Sequence, residues 1–383
     1  MASTNGAKKV PRISRLSARV LLGLLLLGLL VVPWLAGSYV SWLVGNILVL
    51  ILFAAGFNLL FGYSGLLSFG HAGFFAVGAY VCAKILLAVP SFFLAQAAGV
   101  LAAGLVSAVI GFFCIRHTRI YFAMLTLSFG MMIHSIIWKW RSVTGGDDGL
   151  FNVPVAPLSV PGLFSIDMNR TENYYYFLLI VVVLCLVLLW RLVHSPLGLV
   201  FQGIRDSETR VAFCGLSIQK YRLIVFTISG MYAGLSGVLA VPLAKAAYPG
   251  MAHWTFSAEP VLACLLGGAK TFAGPVVGAV LLFVIKEIIV RFTEYWSLVL
   301  GVTVILLVLA FRGGVVSVLE KGLLPRLVPL VERGVKVDRV ADRWKTGKKF
   351  RGFFGGEKRG LANPGRDAYL HYRSQRSRKN HFD

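Results

Sequence analysis

Charge is scarce in this chain of 383 residues, and negative charge scarcest. Only 14% of residues are charged, with 16 Asp and Glu against 38 Lys and Arg. A soluble domain carries about 25% charged residues. The five cysteines (Cys82, Cys114, Cys185, Cys214, Cys264) include no Cys-Xaa-Xaa-Cys pair. Four of them lie in apolar runs, which excludes a disulfide scaffold and suits small buried hydrophobes. Catalytic signatures are missing as well. There is no HExxH, no GxSxG and no pair of carboxylates within the apolar runs. Gly267-Gly-Ala-Lys-Thr271 has the look of a phosphate loop but puts Ala269, not glycine, before Lys270, and no strand precedes it.

What is present is apolar surface. Hydrophobic residues make up 57% of the chain, and mean hydropathy is +0.77. Ten apolar segments stand out, at about 20–36, 40–61, 72–89, 92–115, 120–138, 174–190, 222–244, 259–269, 274–290 and 297–311. They predict an all-α, polytopic membrane protein with about ten transmembrane segments. The first follows a basic stretch but lacks a small-residue cleavage site, so it reads as a retained span.

The basic excess is uneven. Residues 1–19 hold Lys8, Lys9, Arg12, Arg15 and Arg19 with no acid, and 312–383 hold a net charge of +11. With the N-terminus inside, the connections 116–119 and 191–221 fall inside with their arginines, and the acidic 139–173 falls outside. The organisation expected is a basic cytoplasmic N-terminus (1–19), a membrane domain (20–311) and a basic, partly disordered cytoplasmic tail (312–383). An amphipathic piece near 317–332 would sit on anionic lipid. A nucleic-acid partner is the other meaning of a basic tail, but no such motif accompanies it.

Two places break the helical pattern. Phe61-Gly-Tyr-Ser-Gly-Leu-Leu-Ser-Phe-Gly-His-Ala-Gly73 holds four glycines and two serines. The segment 259–269 is too short to span and is bounded by Pro260 and by Gly267-Gly268. Interrupted helices at membrane depth line a cavity or are buried by protein. Each is either a loop and tight turn or part of a substrate path. Polar candidates on that path are Asn58, Ser64, Ser68, His71, Thr126 and Glu259. His71 reads first as a satisfied structural histidine and Glu259 as a helix-start residue before Pro260. Asn58 is inter-helix glue or pathway. In 191–221, Asp206 or Ser207 would cap a short helix. Glu208 would sit in its first turn, Val211, Ala212, Phe213 and Leu216 would form its apolar side, and Gly215 would end it. That helix either docks into another protein or lies on the membrane.

Several long stretches resemble the M-type (LivM-like) permeases of ABC importers for branched-chain amino acids. They are Asn58–Tyr80, Tyr121–Phe129, Thr144–Leu150, Ser195–Gly215, Ile228–Gly237 and Gly267–Ala279. The resemblance runs over about 38–311. It departs after the last span, where Phe311-Arg-Gly-Gly-Val replaces the usual Pro-Xaa-Gly-Leu element, and at Lys270, where the family has smaller residues. It implies the ABC importer permease fold, with no enzyme activity or cofactor of its own, in the bacterial cytoplasmic (inner) membrane. It implies an H-type permease partner, two cytoplasmic ATPases and an extracytoplasmic substrate-binding protein. Arg205, Asp206, Glu208, Arg210 and Gly215 would couple to the ATPases. Urea or a short amide is the alternative substrate, a sugar is more distant, and a membrane enzyme or sensor would need a catalytic cluster that the sequence lacks.

The charge balance makes a direct prediction. In intact cells, Ser159→Cys should react with a membrane-impermeant maleimide and Ser217→Cys should not. Labelling at 217 alone would reverse the orientation.

Overall fold

The computed structural model describes residues 15–89, 91–117, 119–160, 164–310 and 314–316. Most of the basic N-terminus and the tail, including the amphipathic reading of 317–332, lie outside these residues.

All ten apolar segments are helical. The long first helix α1 (Arg15–Asn58) is two helical pieces joined at Gly37, whose φ of 74° no helix accommodates. It leads into a π-turn, Leu59–Tyr63. There follow α2 (His71–Ala88), α3 (Phe92–Cys114), α4 (Arg119–Lys139) and the single turn α5 (Arg141–Thr144). After a loop come α6 (Thr171–Val193), α7 (Pro196–Asp206), α8 (Glu208–Phe213) and α9 (Ile218–Ala244). The chain closes with α10 (Trp254–Gly267), α11 (Gly274–Phe292) and α12 (Trp296–Ala310). Among the described residues, six helices are long and apolar enough to cross a bilayer: Gly37–Tyr63, His71–Ala88, Phe92–Cys114, Ile120–Lys139, Thr171–Val193 and Ile218–Ala244. The remaining apolar segments are helical, but α10 is short, α11 carries Lys286, Glu287 and Arg291, and the apolar stretch of α12 is Ser297–Leu307.

The long connection after α4 is not purely irregular. Strand β1 (Leu150–Phe151) pairs antiparallel with β4 (Ala246–Ala247), just past α9. Strands β2 (Leu158–Val160) and β3 (Phe164–Ile166) form a small hairpin. These strands are too short to have shown a period-2 pattern in the sequence.

The core is helix on helix, and small residues set its spacing. Between apolar helices in lipid, close backbone approach replaces the hydrophobic drive available in water. Gly230, Gly234 and Gly237 form one stripe on α9. A Cβ built on them would strike the Ser107 and Ala103 side chains and the Phe75 carbonyl, so α9 lies directly against α2 and α3. Gly78 of α2 meets the Gly234 carbonyl in the same contact. Phe74, Phe75, Phe122 and Phe226 fill the space around it. Tyrosines bond to backbone: buried Tyr174 donates to Leu239 O at 2.7 Å, and half-buried Tyr232 to Cys185 O at 3.0 Å. Cys82, Cys114, Cys185 and Cys264 are buried free thiols, whereas Cys214 is exposed.

A paired substitution tests this packing. Gly237→Ala forces a methyl onto a backbone carbonyl and should cost about 1–3 kcal/mol. Gly301→Ala, with nothing within 4 Å of the new atom, should stabilise by about 0.5–1 kcal/mol. Thermal unfolding in detergent reads both, and equal midpoints would contradict the close approach.

Candidate functional site: two interrupted helices that meet

The first interruption begins where α1 passes into its π-turn. The Ser64 hydroxyl donates back to Leu60 O at 2.7 Å, and the Leu66 amide reaches the same carbonyl at 3.2 Å. Gly65 turns the chain at φ +75°. An irregular stretch then runs to Gly70, and α2 starts at His71. The second interruption is the tight connection between α10 and α11. Gly268 sits at φ +109°, and the Thr271 hydroxyl donates to its carbonyl at 3.2 Å. Pro275 opens α11, where its missing amide hydrogen costs nothing. Beyond α12, Gly314 at φ +91° rests on Gly267 and Gly268, too close for any side chain. Gly314, in the stretch that replaces the family's element after the last span, therefore has a packing role.

The two interruptions touch each other. A Cβ on Gly62 would collide with the Ala269 carbonyl. Phe57, Val261 and Cys264 form a buried apolar cluster between them, bordered by Phe61, Leu67, Phe69 and Ala269. The Cys264 thiol points at Ala54 O, 3.5 Å away. A third helix seats the first interruption from behind. Gly70 lies against the Thr126 carbonyl and Gly130 of α4, and the Phe69 amide donates to Thr126 Oγ1 at 3.3 Å.

His71 locks this arrangement. It is fully buried, with Phe57, Phe74 and Phe226 set edge-on around its ring. Nδ1 lies 3.0 Å from Ser68 Oγ and Nε2 lies 2.8 Å from Ser229 Oγ. The Ser229 hydroxyl donates to Gly56 O at 2.7 Å, so it accepts from His71 Nε2–H. Nδ1 is then the acceptor for Ser68. This proton order joins α1, the interruption, α2 and α9. The Ala72 amide, one of the unpaired donors at the start of α2, goes to Ser257 Oγ of α10 at 2.8 Å.

The six path candidates thus divide. Ser64, Ser68, His71 and Thr126 are buried and bonded within the protein. Asn58 is also buried, but its Oδ1 has no hydrogen-bond partner and faces Gly62. Glu259 is not a helix-start residue. Helix α10 begins at Trp254, capped by the His253 side chain, and carries Pro260 in its interior. The Glu259 carboxylate instead takes a hydrogen bond from Lys286 Nζ of α11 at 2.5 Å. Burial raises the Tyr248 phenol above its ordinary value; the Glu259 carboxylate adds to this and Lys286 opposes it. Further along, Tyr39, Glu287 and Arg291 form a second polar group, with Tyr39 donating to Glu287 at 3.1 Å.

The loop 191–221 holds two helices. Ser207 caps α8 by accepting from the Arg210 amide, and Gly215 at φ +77° follows its end. Val211 is buried, whereas Phe213 is 89% exposed. The apolar residues expected on one side therefore face opposite ways. Glu208 pairs with the buried Arg222 of α9. Arg205 points inward: Nη1 donates to Gly62 O at 2.5 Å, and Nε meets Asp206 at 3.3 Å. Ser229, Ser257, Arg222 and Lys286 were not singled out from the sequence. The signal for the two charged residues was a basic side chain at the start of one apolar stretch, Arg222, and inside another, Lys286. No group of three or more metal-ligating side chains occurs among the described residues.

Helices long enough to cross a bilayer, packed around two interruptions that meet, define a multi-pass membrane protein of transporter type. Residues 38–309 match the family described as "Branched-chain amino acid transport system / permease component", and the chain belongs to that family. The high-affinity branched-chain amino acid transport system permease protein LivM of Escherichia coli K12 is 28% identical over 68% of the chain, and that of Salmonella typhimurium LT2 30% over 68%. The chain spans 66% of the length of each. The D-allose transport system permease protein AlsC of E. coli K12 is 26% identical over 52% of this chain and 58% of its own. No solved structure matches.

His71→Phe keeps the ring volume and removes both ring nitrogens. It should cost about 1–3 kcal/mol through the two lost hydrogen bonds and the Ser68 hydroxyl left without its acceptor. Detergent-solubilised protein should unfold earlier with its helix content unchanged, and an unshifted midpoint would contradict the lock.

Proposed function

We propose that this chain is a membrane-spanning permease subunit of an ATP-driven ABC importer for branched-chain amino acids. The observation that carries the reading is the contact between the two interrupted helices, within the stretch that matches the permease family. In this reading the protein sits in the bacterial cytoplasmic membrane with both termini inside. A second, H-type permease completes the path, a binding protein delivers substrate from outside, and two ATPases supply the energy. The work is vectorial. Substrate must contact the outward- and inward-open states differently, since equal affinity for both shifts nothing.

Helix α8 is the proposed docking element, with exposed Phe213 as an aromatic anchor and Arg210 beside it. Glu208 would hold α8 to α9 through Arg222. Asn58, with an unpaired Oδ1 beside the first interruption, is the polar side chain best placed to meet a substrate. The apolar surroundings, Phe57, Phe61, Leu67, Phe69 and Val261, favour an aliphatic side chain. A sugar would leave hydroxyls unpaired at about 1–3 kcal/mol each.

The test is uptake of labelled leucine by vesicles that carry the assembled transporter with its own binding protein. Excess valine and isoleucine should compete, and urea should not. Competition by urea alone would replace the amino-acid reading with an amide one.

A further inference from the structure

Arg205 of α7 links the α7–α8 pair to the first interruption. Helix α1 and its π-turn stop at Tyr63, and the last backbone bonds that follow go from the Gly65 and Leu66 amides to Phe61 O and Leu60 O. An unpaired carbonyl at membrane depth costs several kcal/mol. Gly62 O receives Arg205 Nη1 from the last turn of α7. The aliphatic stem of Arg205 crosses Gly65, where a Cβ would lie 2.9 Å from Arg205 Cγ. The left-handed turn at Gly65 and the absence of a side chain there make room for that stem. Gly62 also abuts the Ala269 carbonyl of the second interruption.

Helix α7 is itself held firmly. Phe201 and Ile204 are buried, and Gly198 abuts the Val193 carbonyl at the end of α6. Ser207 is both the residue after α7 and the cap of α8, so the two helices share one joint. A push on Phe213 therefore has a continuous route: through α8 to Ser207, along the chain to Arg205, and by direct contact from Arg205 to Gly62 and from Gly62 to Ala269.

We propose that Arg205 is a positioning strut that carries movement of the α7–α8 pair to the paired interruptions. Its guanidinium holds the Gly62 carbonyl and its stem bears on Gly65, so α7 cannot tilt without shifting the interrupted helix. The proposal rests on the transport reading for its purpose, though not for its geometry. It assigns Arg205 an internal partner where the sequence motif alone would turn it toward an ATPase. Arginine suits the task because it keeps its charge and offers several fixed donors to a carbonyl and a carboxylate at once.

The experiment compares the full-length chain with Arg205→Met and Arg205→Lys. Hydrogen–deuterium exchange is read at the Gly65 and Leu66 amides, which bond to Phe61 O and Leu60 O. With methionine, exchange there should rise about tenfold, the effect of losing one charge-assisted hydrogen bond. Lysine should restore part of the protection, and the amides of α3 should not change. In vesicles carrying the assembled transporter, ATP hydrolysed per leucine imported should rise about tenfold with methionine and less with lysine. A residue that merely stabilises the fold would lower both rates together and leave that ratio where it was. Unchanged exchange at 65 and 66, or an unchanged ratio, overturns the strut. If the wild-type vesicles import no branched-chain amino acid, the transport reading fails. The exchange measurement still decides whether Arg205 holds the interruption.

Discussion

Every peptide group that lipid surrounds must find its partner inside the protein. The rest of this structure follows from how the chain meets that demand where it stops being helical. At both interruptions the polar groups are taken up locally by short hydroxyl side chains, by glycine-permitted close approach, or by one long arginine. Ser64, Ser257, Thr126 and Thr271 each serve a backbone group. Such a solution is compact but conditional. The Ser257 and Thr126 bonds each join two elements, so movement of one element asks for compensation by its neighbour.

The frame around the interruptions is stiff by comparison. The glycine stripe of α9 brings α2 and α3 to backbone distance, and the tyrosine hydroxyls tie α6 and α9 to neighbouring carbonyls. Interiors packed in this way have few intermediate arrangements. The α10–α11 hairpin is joined differently, through the Phe57–Val261–Cys264 cluster, the Ser257 bond and the Glu259–Lys286 pair. The hairpin also packs into the main apolar core, where Ala263, Leu266, Ala279 and Leu282 are buried and Phe256 lies against Phe53 and Phe75.

Much of this was legible in the sequence. Apolar length located every long helix, because a span of about 30 Å leaves little freedom in residue number. Glycine and proline located both interruptions, because few other residues permit those backbone angles. What the sequence left open was pairing. Asn58, His71 and Glu259 look alike as isolated polar residues in apolar runs. Only the fold separates a histidine bonded on both sides, a carboxylate matched by Lys286 on the next helix, and an amide oxygen with no partner. Glu259 was misplaced because Pro260 suggested a helix start. The helix begins five residues earlier than Glu259, where the His253 side chain caps it. Phe213 and Val211 were assigned to one side of α8, but a helix of six residues is too short for an apolar stripe to define a face. The small strands of the long loop are two or three residues each, below the length at which alternation can be recognised.

The ion pairs on the α10–α11 hairpin bear on how the protein responds to the voltage across its membrane. A single charge moved through the full field gains or loses about 2.3 kcal/mol per 100 mV. Glu259 with Lys286, and Glu287 with Arg291, are each neutral as pairs. A rigid shift of these four side chains displaces no net charge. The resting potential therefore sets no cost on moving these pairs, and the charge through which voltage can act on the hairpin is the Lys270 in its connection.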